Sequence, residues 1–90
     1  MKFRYEPSRI FVEDGNGRLI AEVTFPETYP GIRDFNHTFV DDSLRGQGIA
    51  AKLVKAAAEK AREDGKKVRP SCSYAVKWFE KHPDYADLLA

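Results

Sequence analysis

Six apolar residues, Ile49, Leu53, Val54, Ala57, Ala58 and Ala61, recur at helical spacing, and this stripe constrains the fold more than any other feature. Lys52, Lys55, Glu59, Lys60 and Glu63 cover the other side, so the segment predicts a long helix with one buried face. Gly65 supplies its C-terminal stop. Before the helix, Ser8–Glu13 is a β-type run closed by the turn signal Asp14-Gly15-Asn16-Gly17. Leu19–Phe25 then alternates, with Leu19, Ala21, Val23 and Phe25 on one face, and the two runs form a hairpin. Pro26 and Tyr29-Pro30-Gly31 read as a loop. Phe35, His37 and Phe39 share one side of a third strand, with Asn36, Thr38 and Val40 opposite. After the helix, Lys67–Ser71 reads as an edge strand, and Tyr74–Lys81 as a second helix packed through Val76, Trp78 and Phe79 and ended by Pro83.

The order β-β-β-α-β-α predicts an α+β fold, an α/β sandwich. It combines a mixed sheet of about four strands, the long helix and a C-terminal helix. The strands on either side of the long helix should run parallel, because a helical crossover joins parallel neighbours. No repeat, low-complexity tract or linker divides residues 1–90, so one domain is expected.

The net charge of +1 gives no electrostatic case for nucleic acid or an anionic membrane, so any anion must be bound by a local site. Cys72 is the only cysteine, which excludes an internal disulfide. Met1–Pro7 has no apolar signal core, and no uncharged run approaches the ~20 residues of a membrane span. The expected location is the cytoplasm. One cysteine and two histidines offer no metal-site spacing.

A local anion site is visible in Asp41-Asp42-Ser43-Leu44-Arg45-Gly46-Gln47-Gly48-Ile49-Ala50, between a strand and the long helix. Gly46 and Gly48 allow close backbone approach, and Ala50 keeps the first helical turn uncrowded. The first helical amides lack internal partners and the dipole there favours negative charge, so a pyrophosphate suits the position. Arg45 adds a forked, charged donor. The competing interpretation is that both glycines only shape a tight turn. A nucleoside-triphosphate loop fits poorly because no Gly-Lys-Ser/Thr follows, and a dinucleotide fold because the G-x-G-x-x-G spacing is absent.

Arg45-x-x-Gly48-x-Ala50 resembles the Arg/Gln-x-x-Gly-x-Gly/Ala signature of the GCN5-related N-acetyltransferases. Ala75-x-x-Trp78-Phe79-Glu80-Lys81 resembles that family's late helix, and the chain is similar to its short, single-domain branch. Pro70-Ser71-Cys72-Ser73-Tyr74 and Asn36-His37-Thr38 fit the branch, and the resemblance covers roughly Leu19 to Pro83. It implies acetyl-coenzyme A as cofactor, with the pyrophosphate on the amides of Arg45, Gly46, Gln47, Gly48, Ile49 and Ala50. Thr38, Phe39 and Val40 would follow the pantetheine arm, with Ser73, Tyr74 and Trp78 beside it, and a splay between the third strand and the next would admit the thioester.

Transfer to an amine needs a polarised carbonyl, a base and a proton for the thiolate. The resemblance implies a backbone N–H at Phe39 or Val40 for the first. The family's proton donor, a tyrosine, is replaced here by Phe79. Cys72, just before a helix, is one catalytic candidate, as acetyl carrier or neighbour of the thioester; the alternative is a small buried thiol. His37, on an apolar face, is the other, as base, against a core histidine with a satisfied hydrogen bond. Adjacent strands would let His37 and Cys72 face each other. Asp41 and Asp42 read as turn and helix-start charges, His82 as a solvated helix end, and Lys52 or Lys55 as solvent-facing or near the 3′-phosphate. The expected activity is acetyl transfer to an unspecified amine, small or protein-borne, directly or through Cys72. The alternatives are a non-catalytic coenzyme A-binding or interaction module and a phosphate-binding domain unrelated to acyl transfer.

Overall fold

In the computed structural model, which describes residues 1–90, the chain runs β1 (Arg4–Glu6), β2 (Arg9–Glu13), β3 (Leu19–Thr24), β4 (Glu27–Tyr29), β5 (Ile32–Phe35), β6 (His37–Val40), α1 (Ile49–Glu63), β7 (Lys67–Pro70) and α2 (Ser73–Lys81). Short 3-10 turns at Asp42–Leu44 and Pro83–Leu88 complete it. The expected α+β sandwich is present, with more and shorter strands than periodicity shows. They form a four-stranded sheet, β1-β2-β3-β6, and a three-stranded sheet, β4-β5-β7. The β2–β3 hairpin follows its turn signal. The Pro26–Gly31 stretch is corrected from loop to hairpin: Glu27–Tyr29 pairs antiparallel with β5, turning at Gly31, whose φ is 81°.

The six residues of the helical stripe are the buried residues of α1. That face packs across β2, β3, β6 and β7, and α2 lies against α1 on the same side. One cluster of 19 buried residues results, centred on Ile10, Val23, Phe35, Leu53, Val54 and Val68. The other face of the four-stranded sheet carries no helix. Phe11, 4% exposed, is buried there outside the main cluster, with the Arg9 guanidinium 3.8 Å and that of Arg4 5.5 Å from its ring centroid. Ion pairs Arg9–Glu6, Arg9–Glu22 and Arg4–Glu13 hold these guanidinium groups over the ring.

The expected third strand is two strands with a break at Asn36. β5 pairs parallel with β7, as the crossover rule requires, whereas β6 leaves that sheet and pairs antiparallel with β3. Thr38 and Val40 stand opposite Val23 and Ala21, on the helix-covered side, while His37 and Phe39 stand opposite Thr24 and Glu22, on the open side. The Asn36 side chain also bonds Thr24, so Asn36 and His37 project to the same side. One extra residue therefore shifts the alternation by one place. His37 is corrected from an apolar face beside Phe35 to an exposed position, and Phe39 from the core side to the open side.

Candidate functional site

The parting of the two sheets makes a cleft. The carbonyl of Phe35 accepts both the Ser71 amide, at 3.1 Å, and the Cys72 amide, at 3.0 Å. Beyond that vertex β6 follows β3 while Cys72 turns into α2. β6 is the edge of its sheet, so one side of its backbone is free. Asp41 N–H bonds the Ile20 carbonyl at 2.8 Å, and antiparallel alternation then directs Phe39 and His37 amides toward β3 and Thr38 and Val40 amides into the cleft. Of the two amides considered for carbonyl polarisation, only that of Val40 faces the space.

Cys72 lines the opposite wall. It is the N-cap residue of α2, and its thiol donates to Thr38 Oγ1 at 3.6 Å. Burial pushes the thiol's pKa up, but the amides of Ala75 and Tyr74 and the hydroxyl and amide of Thr38 outweigh it, and the net shift is down. The pH midpoint of Cys72 alkylation by iodoacetamide is therefore expected below that of the guanidinium-unfolded chain. Thr38→Val should raise it part of the way back, and equal midpoints for folded and unfolded chain would refute the assignment.

His37 does not face Cys72, because successive side chains of β6 leave on opposite sides and Thr38 is the one directed at the thiol. His37 instead approaches Glu22, with Nε2 3.6 Å from Oε1. The Glu22 side chain is 13% exposed and its other oxygen accepts from Arg9 at 2.7 Å, whereas the His37 side chain is 52% exposed. Glu22 was not foreseen as a site residue. Its place in the alternating strand was legible, but its neighbour across the sheet depends on register.

At the end of the cleft, the Asp42–Leu44 turn leads into α1. Gly46 and Gly48 have φ of 83° and 69°, values that L side chains rarely adopt. Gly48 is the N-cap of α1 and provides no side-chain bond to its first turn. Arg45 N–H donates to Asp42 at 3.1 Å and Gln47 N–H to Leu44 at 3.4 Å. The amides of Gly46, Gly48, Ile49, Ala50 and Ala51 have no acceptor in the protein. Gly46, Gly48, Ile49 and Ala50 border a cavity of about 220 Å³ also lined by Val40, Asp41, Asp42, Leu44 and Arg45. Two carboxylates lie close, and both are engaged. The hydroxyl and amide of Ser43, and then Arg18, lower the pKa of Asp41, and Asp42 pairs with Arg45 at 2.7 Å. Unpaired amides at an uncapped helix start fit a diphosphate.

The remaining candidates lie on α2. Ser73, its first residue, is exposed, and Tyr74 is 39% exposed. Trp78 is a core residue at 4% exposure, stacked on His82 at 4.1 Å, and only its edge reaches a surface cavity beside Ala51. His82 is corrected from a solvated helix end to a half-buried ring whose Nδ1 bonds the Trp78 carbonyl at 2.7 Å. Phe79 is 4% exposed and packs on Phe35 and Trp78.

A family model described as GCN5-related N-acetyl-transferase matches residues 9–88. The solution structure of a GCN5-like protein from Staphylococcus aureus superposes with a TM-score of 0.82 at 32% identity, covering 99% of this chain and 87% of that one. A GNAT family N-acetyltransferase from Escherichia coli, in complex with CoA, gives a TM-score of 0.60 at 25% identity over 69% of this chain and 38% of that one. Protein NATD1 of Homo sapiens is 40% identical over 52 residues, 58% of this chain and 46% of that protein. The matched segment spans about half the length of such curated relatives.

Proposed function

Because the chain belongs to the GCN5-related N-acetyltransferases, we propose that it binds acetyl-coenzyme A at the Gly46–Ala51 turn and transfers the acetyl group to an amine. The observation that carries this reading is the set of unpaired amides of Gly46, Gly48, Ile49 and Ala50 at the uncapped start of α1, bordering the cavity next to Val40 of β6. When bound, acetyl-coenzyme A supplies a thioester carbonyl as electrophile and a thiolate as leaving group.

The chain's own groups divide the remaining work. The Val40 N–H polarises the carbonyl oxygen from the free edge of β6, a contribution typically worth ~3 kcal/mol. His37, backed by Glu22, removes the proton from an ammonium arriving across the open sheet face, so that a neutral nitrogen attacks. In the relay alternative the Cys72 thiolate would attack the thioester carbonyl and expel coenzyme A as its thiolate; a neutral acceptor nitrogen would then attack acetyl-Cys72, breaking its C–S bond to regenerate the Cys72 thiolate and giving up its proton to the expelled thiolate or to solvent. His37 and Cys72 address opposite sides of β6, so they serve separate routes and not one dyad.

Thiol release with a mixture of primary amines tests the reading. His37→Ala should slow transfer roughly 100-fold, with coenzyme A affinity unchanged by calorimetry. Loss of activity in Cys72→Ser, together with an acetyl adduct on Cys72 in the wild type by mass spectrometry, selects the relay. Phe79 favours a non-catalytic coenzyme A-binding module as the rival, since a buried phenyl ring at the family's tyrosine position has no proton to give. That module predicts binding without turnover, indifferent to both substitutions.

A further inference from the structure

The two sheets end in β1, β6, β4 and β7. The β6 edge borders the cleft. The β7 edge is met by the chain's own Leu89 and Ala90, whose N–H donates to the Val68 carbonyl at 2.9 Å. β4 is irregular in register and flanked by Pro26 and Pro30, which blunt an edge. β1 has no such protection: it is exposed throughout, regular in register and free of proline. The direction of its hydrogen-bonding groups follows from pairing. Phe25 N–H donates to the Ser8 carbonyl at 2.8 Å, so along β2 Ile10 bonds β3 while Arg9 and Phe11 bond β1. Tyr5, opposite Ile10, therefore points its N–H and C=O out of the sheet.

The geometry points to a second copy of this chain as the occupant of that edge, with the two β1 strands antiparallel about a two-fold axis at Tyr5. The two Tyr5 residues then exchange a pair of backbone hydrogen bonds. The same register sets Arg4 opposite the partner's Glu6, and Glu6 opposite the partner's Arg4, on the open side of the joined sheet. Both side chains are half-exposed, so each can meet a second opposite charge beside Glu13 or Arg9. On the helix side, Phe3, Tyr5 and Ala56 line a groove of about 480 Å³ between β1 and α1. Tyr5 is 58% exposed, and its own copy would cover it. Along this groove the charges run Lys52 and Lys55, then Glu59 and Glu63, and none of the four makes an ion pair. Lys60, between them, is engaged by Asp64 at 3.1 Å. A two-fold axis reverses the helix and brings the lysine end of one groove beside the glutamate end of the other. An unrelated strand would meet the edge without matching this order of charges.

Analytical ultracentrifugation of the full chain tests this. At about 0.5 mM, where small interfaces are populated, the wild type should sediment as two chains and dissociate on dilution or in about 1 M salt. Tyr5→Pro removes the outward donor and leaves the β1–β2 ladder intact. It should weaken association roughly ten-fold or more, with the thermal midpoint little changed. Arg4→Glu and Glu6→Arg each set like charges against one another across the axis, so each variant alone should be monomeric. Their equimolar mixture restores opposite charges at both places and should dimerise. This mixture decides the matter should Tyr5→Pro fail to fold. A wild type that stays monomeric, association retained by Tyr5→Pro, or a mixture no more associated than its components would overturn the inference. A monomeric wild type whose Tyr5 amide resonance shifts on adding a Thr-Val repeat peptide would overturn it too, and assign the edge to a foreign strand. None of these results bears on the coenzyme A site.

Discussion

Replacing Gly46 by aspartate is expected to weaken coenzyme A binding roughly 100-fold, equivalent to about 2.8 kcal/mol, while the fold survives. A Cβ at Gly46 meets nothing within 4 Å, so the cost to the fold is the backbone's, at φ 83°. Asp and Asn tolerate that region better than other side chains, and the penalty is about 1–2 kcal/mol at most. The carboxylate, in contrast, enters the space bordered by the free amides. It repels a diphosphate and competes for the same N–H donors, an effect of about 4 kcal/mol for charges 4 Å apart at an effective dielectric near 20, and less in this open cavity. Gly46→Asn isolates the charge, since it has the same shape and backbone demand. Calorimetric titration should place Asn near the wild type and Asp far below it. Equal affinities for the two variants would remove the diphosphate from this turn.

Phe35→Ala should be the most destabilising change in the core, by about 3–5 kcal/mol. The side chain is 0% exposed and packs against Phe25, at 5.8 Å between ring centroids, and Phe79, at 5.9 Å. It is also the last residue before the two sheets part, and its carbonyl bonds both Ser71 and Cys72. At 4–8 °C per kcal/mol for a domain of this size, the melting midpoint should fall by roughly 15–30 °C. That is a large fraction of the 5–15 kcal/mol typical of a whole domain. Phe35→Leu should cost well under half as much, and a denaturant series with constant slope checks that both changes act on the native state. A loss under about 1 kcal/mol for Phe35→Ala would show that the joint between the sheets is not held from within.

Periodic and conformational signals were legible wherever the physics is local. The stripe from Ile49 to Ala61 is the buried face of α1, because a helix crossing a sheet must bury one continuous side. Asp14–Gly17 turns a hairpin, and Gly65, at φ 68°, follows the end of α1. The glycine turn was visible because positive φ at Gly46 and Gly48 demands that residue. What escaped was set by non-local pairing. The alternation of Phe35, His37 and Phe39 looked uninterrupted, and nothing within the segment announces that β5 pairs with β7 while β6 pairs with β3. The break at Asn36 follows from that change of partner. It also separates His37 from Cys72 and introduces Glu22 as the neighbour of His37. The short strand Glu27–Tyr29 was hidden by its flanking prolines, which tolerate an edge position.

The slip at Asn36 leaves that part of the chain no spare length. Delete one residue there and His37 would swing toward the helices, Thr38 would turn from the Cys72 thiol, and the Val40 amide would be consumed by β3 in place of facing the cleft. Insertions at the Tyr29–Gly31 turn, far from these contacts, would cost little by comparison. The protein's tolerance of changes in length is thus sharply uneven, and it is lowest at one exposed asparagine.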